Sequence, residues 1–332
     1  MIKLIGLISM DQNKVINIYR TPSIYPNLAL MKISAYYKKK GYKVEWYKPI
    51  KQYYHKYHKV FASKVFIRKT PMDSYLTKDM IIGGTGYNLT TKLPDKIEHI
   101  YPDYDLYGID YSMGFITRGC IRNCGFCIVQ EKEGMTHKHA DFEEFWHGQD
   151  RIRLLDNNFL SYKKHIEELK KIINIDKKVD FYHGLDIRLI TNENASLLKK
   201  LRLWSGKRYT FAFDDIKSKS VIEKKIKILN DNGIKNSQMN FFVLTGFNST
   251  LEEDLIRINF LREKEIRAYA MPYNKAIKQQ PQIQKDLLRW VNYKPLYWKM
   301  DFKTFLKKDY TTKSESKAAK TKAKSMLNKY LK

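Results

Sequence analysis

The sequence predicts an α/β protein in which an N-terminal Rossmann-like unit precedes a partial (β/α)6 barrel of the TIM type. Two observations lead to this fold class. Apolar, strand-like runs alternate with amphipathic helical patterns through most of the chain, and six such units follow one another between residues 111 and 273. Strands separated by helices pair in parallel through right-handed crossovers, and a series of them forms an open or closed barrel.

The first hundred or so residues predict an incomplete Rossmann-like unit. Leu28, Met31 and Ala35 recur at helical spacing, and Gly41 follows them as a helix stop. The expected strands of this unit lie at 1–9, 43–47, 60–67 and 80–82.

The six later units supply the expected barrel. Their predicted strands lie at 112–117, 152–156, 179–184, 209–213, 239–244 and 266–271. Apolar stripes indicate the helices between them, and Thr250 with Glu253 predicts a capping box at the start of one such helix. In barrels of this kind the chemistry lies at the carboxyl ends of the strands.

The end of the chain differs from the barrel. The aromatic stretch 289–298 is expected to pack as a closing element, and the lysine-rich residues from 313 onward predict a basic tail. The predicted domains are a Rossmann-like domain at 1–108, a barrel at 109–274, a closing segment at 275–312 and the tail at 313–332.

The composition of the chain limits the classes of binding partner and the cellular compartment that we expect. The formal net charge is +27, which either reflects coding bias toward lysine or indicates contact with a polyanion such as nucleic acid, and charge alone leaves both explanations open. No stretch has the roughly 18 uninterrupted apolar residues of a membrane span, and the short apolar start does not predict an export signal. We therefore expect a soluble, cytoplasmic protein without a membrane partner.

The three cysteines of the chain carry most of the functional information. They form the pattern Cys120-x3-Cys124-x2-Cys127 directly after the first barrel strand. Three thiolates on a short loop can hold one iron–sulfur cluster and leave its fourth iron open, whereas an electron-carrier cluster normally has four cysteine ligands. Gly119 lets the backbone turn tightly around such a site. Phe126 can shield the site or pack on a flat ligand.

This pattern resembles the signature of the radical S-adenosylmethionine superfamily, C-x3-C followed by x-aromatic-C at the end of the first strand of a six-unit βα barrel. The resemblance covers residues 111–274. It implies a [4Fe–4S] cluster on the three cysteines, with S-adenosyl-L-methionine bound at the open iron. It also implies an external electron donor and cleavage to a 5′-deoxyadenosyl radical, which abstracts a hydrogen from a substrate that the sequence does not name.

The same resemblance assigns cofactor contacts at the ends of later strands. Asp156 and Asn157 follow the second strand, at the position where residues of the family's members contact the methionine amino group. Asp186 and Arg188 follow the third strand, and the resemblance directs Asp186 to the ribose and Arg188 to the carboxylate. A structural ion pair at the barrel rim is the other interpretation of these two residues.

Two further strand ends resemble the family through position alone. Asp214 ends the fourth strand, where a carboxylate meets ribose hydroxyls or substrate. Gly246 ends the fifth strand, on the adenine side of the site. Both are therefore expected to contact S-adenosylmethionine.

The N-terminal part resembles the cobalamin-binding-like domain that precedes many barrels of this superfamily, chiefly through residues 25–44. The cobalt-coordinating Asp-x-His-x-x-Gly pattern is missing, because His55 and His58 have no matching aspartate or glycine, and cobalamin is therefore doubtful as a cofactor. No fourth cysteine remains for a second cluster or a methyl carrier. The implied reaction is then simple hydrogen abstraction, as in rearrangement, dehydrogenation, epimerisation or carbon–carbon chemistry.

A zinc site is the alternative interpretation of the cysteines. His137 or His139 could supply the fourth ligand of a tetrahedral site. The chain would then be a zinc-stabilised, basic nucleic-acid-binding protein without catalysis, for which six βα units are more than a binding module requires. For an enzyme, the same positive charge favours a polyanion, with a nucleic-acid base as the leading substrate class.

Overall fold

The computed structural model of the chain describes most of its residues. These are residues 3–11, 25–51, 57–67, 71–204, 206, 208–273 and 281–312. The predicted basic tail at 313–332 and His55 lie outside the described residues.

Short strands and helices alternate along the described chain. The strands are β1 (Leu4–Ser9), β2 (Lys43–Trp46), β3 (Lys59–Ser63), β4 (Ile81–Gly83), β5 (Ser112–Gly114), β6 (Thr117–Arg118), β7 (His137–Lys138), β8 (Arg151–Leu154), β9 (Lys178–Phe181), β10 (Arg202–Leu203), β11 (Tyr209–Ala212), β12 (Met239–Thr245) and β13 (Arg267–Pro272). The helices are α1 (Leu28–Lys39), α2 (Asp95–Glu98), α3 (Val129–Glu133), α4 (His165–Ile175), α5 (Asn192–Lys200), α6 (Lys219–Asp231), α7 (Leu251–Glu263), α8 (Gln282–Asn292), α9 (Lys294–Lys299) and α10 (Phe302–Thr312).

The N-terminal strands form a parallel sheet with the order β2-β1-β3-β4. Apolar side chains cover both faces. Ile5 and Leu7 of β1 pack with residues of α1, whereas Ile8 and Met10 belong to a separate apolar cluster. Burial on both faces explains why β1 is a nearly continuous apolar run in the sequence. The helix and the four strands predicted for this part are observed among the described residues, except that β3 ends at Ser63 and not at residue 67.

Two more parallel sheets follow residue 111. Their strand orders are β10-β9-β8-β5 and β11-β12-β13. All six strands predicted here are observed within a few residues of their expected bounds, apart from the early end of the first one. The short strand β10 was not predicted, because two residues are too few for a periodic signal.

The first of these strands ends earlier than expected and the chain changes partners. β5 stops at Gly114, and β6 pairs antiparallel with β7. The chain leaves the sheet here because Asp156 accepts the backbone N–H groups of Ile116 and Thr117, at 3.4 and 2.6 Å. The prediction of one continuous strand over 112–117 is therefore wrong.

Local sequence signals also account for the helices. The hydroxyl oxygen of Thr250 accepts the backbone N–H of Glu253 at 3.2 Å, and the Glu253 carboxylate accepts the Thr250 N–H at 2.8 Å, which confirms the capping box. In the aromatic stretch near the end, Trp290 and Tyr297 are fully buried, and the role of this stretch as a closing element stays a prediction. Within the described part of the chain, no helix has the length and apolar character needed to cross a membrane.

The chain divides into two compact units. The first comprises Met1–Tyr162, Ile172–His183 and Arg202–Ser205; the second comprises Lys163–Lys171, Gly184–Leu201 and Gly206–Lys332. The first unit therefore contains the N-terminal sheet and the sheet of β5, β8, β9 and β10, and the second contains β11, β12 and β13. These units are defined by packing, so the predicted domain boundaries stay a prediction.

Candidate functional site

The three cysteines lie on one loop whose base is closed by a two-stranded ladder. β6 and β7 pair with each other, and the loop consists of residues 119–136 between them. Cys120 and Cys124 are partly buried in this loop, and Cys127 is exposed. The ladder fixes the two ends of the loop while the thiols remain accessible from outside.

The loop begins with a backbone conformation that favours glycine. Gly119 has a φ of +84°, and a Cβ atom at this position would lie 2.6 Å from the carbonyl oxygen of Gly134. The backbone N–H of Cys120 donates to the same carbonyl at 3.1 Å. The two ends of the loop therefore approach each other more closely than a side chain at residue 119 would allow.

The turn after β8 holds the loop through three consecutive side chains: Asp156, Asn157 and Asn158. The Asp156 carboxylate accepts both the backbone N–H and the hydroxyl of Thr117 at 2.6 Å. Asn157 accepts the backbone N–H of Gly119 at 3.1 Å, and Asn158 donates its side-chain N–H to the Cys120 sulfur at 3.2 Å. One turn thus positions the chain from residue 117 to the first cysteine.

The sulfur of Cys120 has two hydrogen-bond donors. Besides the Asn158 amide, the backbone N–H of Arg122 lies 3.3 Å away. Hydrogen bonds to the cysteine sulfurs of an iron–sulfur cluster help to set its reduction potential. Sequence reasoning missed Asn158, although its place in the same polar turn after a buried strand is a signal that could have identified it.

Asp156 is buried and acts here on the protein backbone. Burial raises the pKa of Asp156 to about 6, although hydrogen bonds from Thr117 and Ile116 act in the opposite direction. Both of its carboxylate oxygens face these two residues. The observed role of Asp156 is therefore to position the loop, and the contact of Asp156 and Asn157 with the methionine amino group stays a prediction.

A buried ionic network lies beside the start of the loop. One carboxylate oxygen of Glu98 accepts hydrogen bonds from Lys32 at 2.8 Å, Arg118 at 2.9 Å and His139 at 3.1 Å. Burial alone would raise the pKa of Glu98, but the hydrogen bond from His139 and the charges of Lys32 and Arg118 hold it well below its usual range. Burial lowers the pKa of Lys32, because a single carboxylate does not offset its lost hydration. The network fixes Arg118 two residues before Cys120.

The two histidines of the zinc alternative have partners other than the cysteines. His139 contacts Glu98, and Nδ1 of His137 lies 2.9 Å from the carbonyl oxygen of Met135. Burial lowers the pKa of His139, and the hydrogen bond with Glu98 opposes this effect. Among the residues that the structure describes, no three His, Cys, Asp or Glu side chains are gathered as a single metal ion would require.

Four of the predicted cofactor-binding residues belong to the second unit: Asp186, Arg188, Asp214 and Gly246. Asp186 and Arg188 form a two-point ion pair, with N–O distances of 2.7 and 3.0 Å, as in the structural interpretation that the sequence left open. Burial raises the pKa of Asp214. The hydrogen bond from the Leu244 backbone N–H and the positive charge of Arg188 oppose this rise. The structure therefore brings Asp186, Arg188 and Asp214 into one electrostatic group.

A buried arginine fixes the strand ends of this group. Arg257 is fully buried and donates to the carbonyl oxygens of Phe213 at 2.6 Å and Leu244 at 2.8 Å, where β11 and β12 end. Gly246 follows with a φ of +73° and donates its N–H to Asp254 at 3.2 Å. Sequence reasoning missed Arg257, because an arginine within a helical pattern is normally exposed.

The predicted site residues thus fall into two sets. The first unit contains the three cysteines with Phe126, Asp156 and Asn157, and the second contains the other four. Phe126 is half-buried between Gly125 and Cys127 on the loop.

The cysteine loop carries the three thiols to which the resemblance assigns an iron–sulfur cluster, and among the described residues these thiols too are not gathered around one point. Its donors are three thiols between residues 120 and 127, with two N–H groups directed at the first sulfur. Three thiolates would leave one iron of a four-iron cluster open to a ligand. A comparison with known family models and with curated proteins finds no match to this chain, so the resemblance to the radical S-adenosylmethionine superfamily rests on the cysteine motif and its setting.

Proposed function

We propose that this chain is a radical S-adenosylmethionine enzyme that abstracts a hydrogen atom from its substrate. The observation that carries the proposal is the hydrogen bond from Asn158 to Cys120. It means that the turn after β8 holds the loop that follows the neighbouring parallel strand β5, at the carboxyl edge of their sheet. Parallel α/β sheets bind ligands and carry out chemistry at this edge.

In this proposal Cys120, Cys124 and Cys127 would hold a [4Fe–4S] cluster, to which S-adenosyl-L-methionine would bind. When bound and reduced by an external electron donor, these cofactors supply a 5′-deoxyadenosyl radical. The chain's own contribution is to position and shield them. Asn158 keeps the Cys120 sulfur in place, and Phe126 covers the loop beside the last cysteine.

The assignments of Asp186, Arg188, Asp214 and Gly246 to S-adenosylmethionine are kept as proposals that rest on the sequence resemblance alone. The Arg188 guanidinium is paired with the Asp186 carboxylate in two-point geometry, so the proposed contact with the methionine carboxylate requires this pair to open. Asp186 and Asp214 are assigned to ribose hydroxyls, and Gly246 to the adenine side.

The sheet topologies support the proposed domains. The order β2-β1-β3-β4 with parallel pairing is consistent with a Rossmann-like, cobalamin-binding-like N-terminal domain. Six parallel strands paired in chain order within two sheets support a partial (β/α)6 barrel. Thiols kept for a cluster fit a reducing, cytoplasmic compartment.

The test is anaerobic reconstitution of the full chain with iron and sulfide. The protein is then reduced with dithionite in the presence of S-adenosylmethionine, and 5′-deoxyadenosine is measured by chromatography. We expect product from the native chain and a loss of at least about 100-fold in C120A, C124A and C127A, because each removes a cluster ligand. Ile121→Ala is the matched control, because Ile121 is exposed on the same loop and carries no donor atom.

Metal analysis of the same samples separates the proposal from its alternative. About four irons per chain with product formation supports the enzyme. Stoichiometric zinc without iron uptake would overturn it and leave a zinc-stabilised, basic binding protein.

A further inference from the structure

A small cavity lies at the amino-terminal edge of the sheet of β11, β12 and β13. Its volume is about 150 Å³, and its lining includes Arg208 just before β11, Met239 at the start of β12 and Arg267 at the start of β13. Lys294 and Trp298 of α9 also line it. All of these residues belong to the second unit, and the cavity lies at the opposite strand ends from Asp214 and Gly246.

The lining of this cavity is positively charged. Arg208, Arg267 and Lys294 contribute three cations, and Glu265 contributes the single carboxylate. None of the three cations forms an ion pair with a carboxylate of the described residues. Burial lowers the pKa of Arg267, and the nearby charge of Arg208 lowers it further. The two guanidinium groups thus line the same cavity.

Arg267 has a buried donor without an acceptor. Its Nη1 is buried and has no hydrogen-bond partner, whereas Nη2 donates to the carbonyl oxygen of Asn292 at 2.8 Å. Buried N–H groups are rarely left unpaired, because they lose their hydration without compensation. This donor is therefore hydrogen-bonding capacity of Arg267 that the fold leaves unused beneath the cavity wall.

The surroundings of Arg267 hold its guanidinium in one orientation. The group lies over the ring of Tyr297, 5.1 Å from its centroid. Asn292 is itself fixed by β13, because its side chain accepts the N–H of Ala270 at 2.8 Å and donates to the carbonyl of Ala270 at 2.9 Å. A donor held in place by packing and by fixed partners binds a ligand with little loss of conformational freedom.

We propose that this cavity binds a phosphate group. A tetrahedral oxyanion accepts several hydrogen bonds at once and matches the fork of an arginine, here the exposed Arg208, and Arg267 and Lys294 supply further positive charge. The volume is sufficient for such a group with several waters, since one water needs roughly 10–15 Å³. Trp298, which is 36% exposed, provides a ring against which the sugar or base next to the phosphate can stack.

The phosphate can belong to a small phosphorylated molecule or to a nucleic-acid backbone, and the experiment separates these sources. The full chain is titrated at low ionic strength with inorganic phosphate, with pyrophosphate and with a single-stranded ten-nucleotide oligomer. Binding is followed by calorimetry and by tryptophan emission, and W298F identifies the signal of Trp298. We expect saturable phosphate binding that R208Q, R267Q and K294Q each weaken at least tenfold.

The control variant is Lys303→Gln, which removes one positive charge from an exposed position outside the cavity. It should bind phosphate as tightly as the native chain. R208Q and K294Q change exposed side chains, so they test the site even where R267Q fails to fold. Displacement of phosphate by the oligomer identifies a backbone phosphate, and binding of pyrophosphate without displacement by the oligomer identifies a small molecule. Equal weakening in K303Q, or no binding of any of the three probes, overturns the proposal.

Discussion

Glu98 provides the most direct test of how the cysteine-bearing part of the chain is held together. Its carboxylate receives donors from three other elements, Lys32 on α1, Arg118 on β6 and His139 just after β7. All of these side chains are at least four-fifths buried. Glu98→Gln keeps the size and a carbonyl acceptor but removes the negative charge. The positive charges of Lys32 and Arg118 then remain buried without their counter-ion.

The expected magnitude follows from the contact distances. At 2.8–2.9 Å, each full charge pair attracts by about 6 kcal/mol at an effective dielectric constant of 20. Lost hydration offsets most of this attraction, and removal of one partner of a buried pair costs about 3–5 kcal/mol. We expect the lower end for E98Q, a loss of about 3 kcal/mol in the free energy of unfolding, because the glutamine carbonyl still accepts hydrogen bonds.

The pH dependence of the stability difference between the native chain and E98Q is a second test. The pKa of Glu98 is lower in the folded chain than in the unfolded one, so its contribution is fully present above the unfolded pKa, about 4.5. The contribution is lost as the pH falls through the folded value. The stability difference between the native chain and E98Q should therefore be constant near neutral pH and shrink below about pH 4.5.

Urea unfolding of both chains at pH 7, 5.5 and 3.5, followed by far-ultraviolet circular dichroism, measures this difference. Glu143→Gln is the matched control, because Glu143 is exposed and belongs to no ion pair of the described residues; it should change stability by less than about 0.5 kcal/mol. An E98Q loss under about 1 kcal/mol at pH 7, or a loss of equal size at pH 3.5, would refute the ionic account.

Three further predictions concern the loop itself. Burial raises the pKa of Asp156 to about 6, so the protonated carboxyl group stabilises the folded chain below the unfolded pKa near 4. This contribution of about 3 kcal/mol to the free energy of unfolding is lost as the pH rises through 6. The variant D156N should lack this pH dependence when urea unfolding is measured between pH 4 and 6.5. N158A removes the side-chain donor to Cys120 and should speed iron loss to a chelator about tenfold, whereas an unchanged rate would show that this contact is unimportant. G119A introduces a Cβ beside the Gly134 carbonyl at a positive φ and should cost at least about 2 kcal/mol of loop strain, seen as less than half the native iron content after reconstitution.

The elements that the sequence predicts well are those with a local signal. The buried strand β1 is nearly continuous in apolar residues, and the Thr250–Glu253 capping box consists of two residues three positions apart. The ladder of β6 and β7 has only two residues on each side, which is too short for periodicity to appear. Its existence depends on the contact of Asp156 with the backbone of Thr117, 39 residues away in sequence.

The candidate site shows the same division between local and distant information. The cysteine spacing identifies the three thiols directly, and the polar turn after β8 was identified as part of the site. The sequence does not show which oxygen accepts a hydrogen bond from which N–H group. For this reason Asn158 and Glu98 were not predicted as part of the site. Glu98 contacts Arg118, 20 residues away in sequence, and Lys32, 66 residues away. No sequence pattern within one helix or strand predicts contacts over such separations.

The ladder of β6 and β7 at the base of the cysteine loop bears on what happens to the chain when oxygen destroys the proposed cluster. Since β6 and β7 are held by backbone hydrogen bonds and by Asp156, the loop does not need metal to keep its ends together. Under the proposed function, a chain whose cluster oxygen has destroyed would keep the loop in place around its thiols. Resupply of iron, sulfide and reductant would then restore the proposed cluster without new synthesis of the chain.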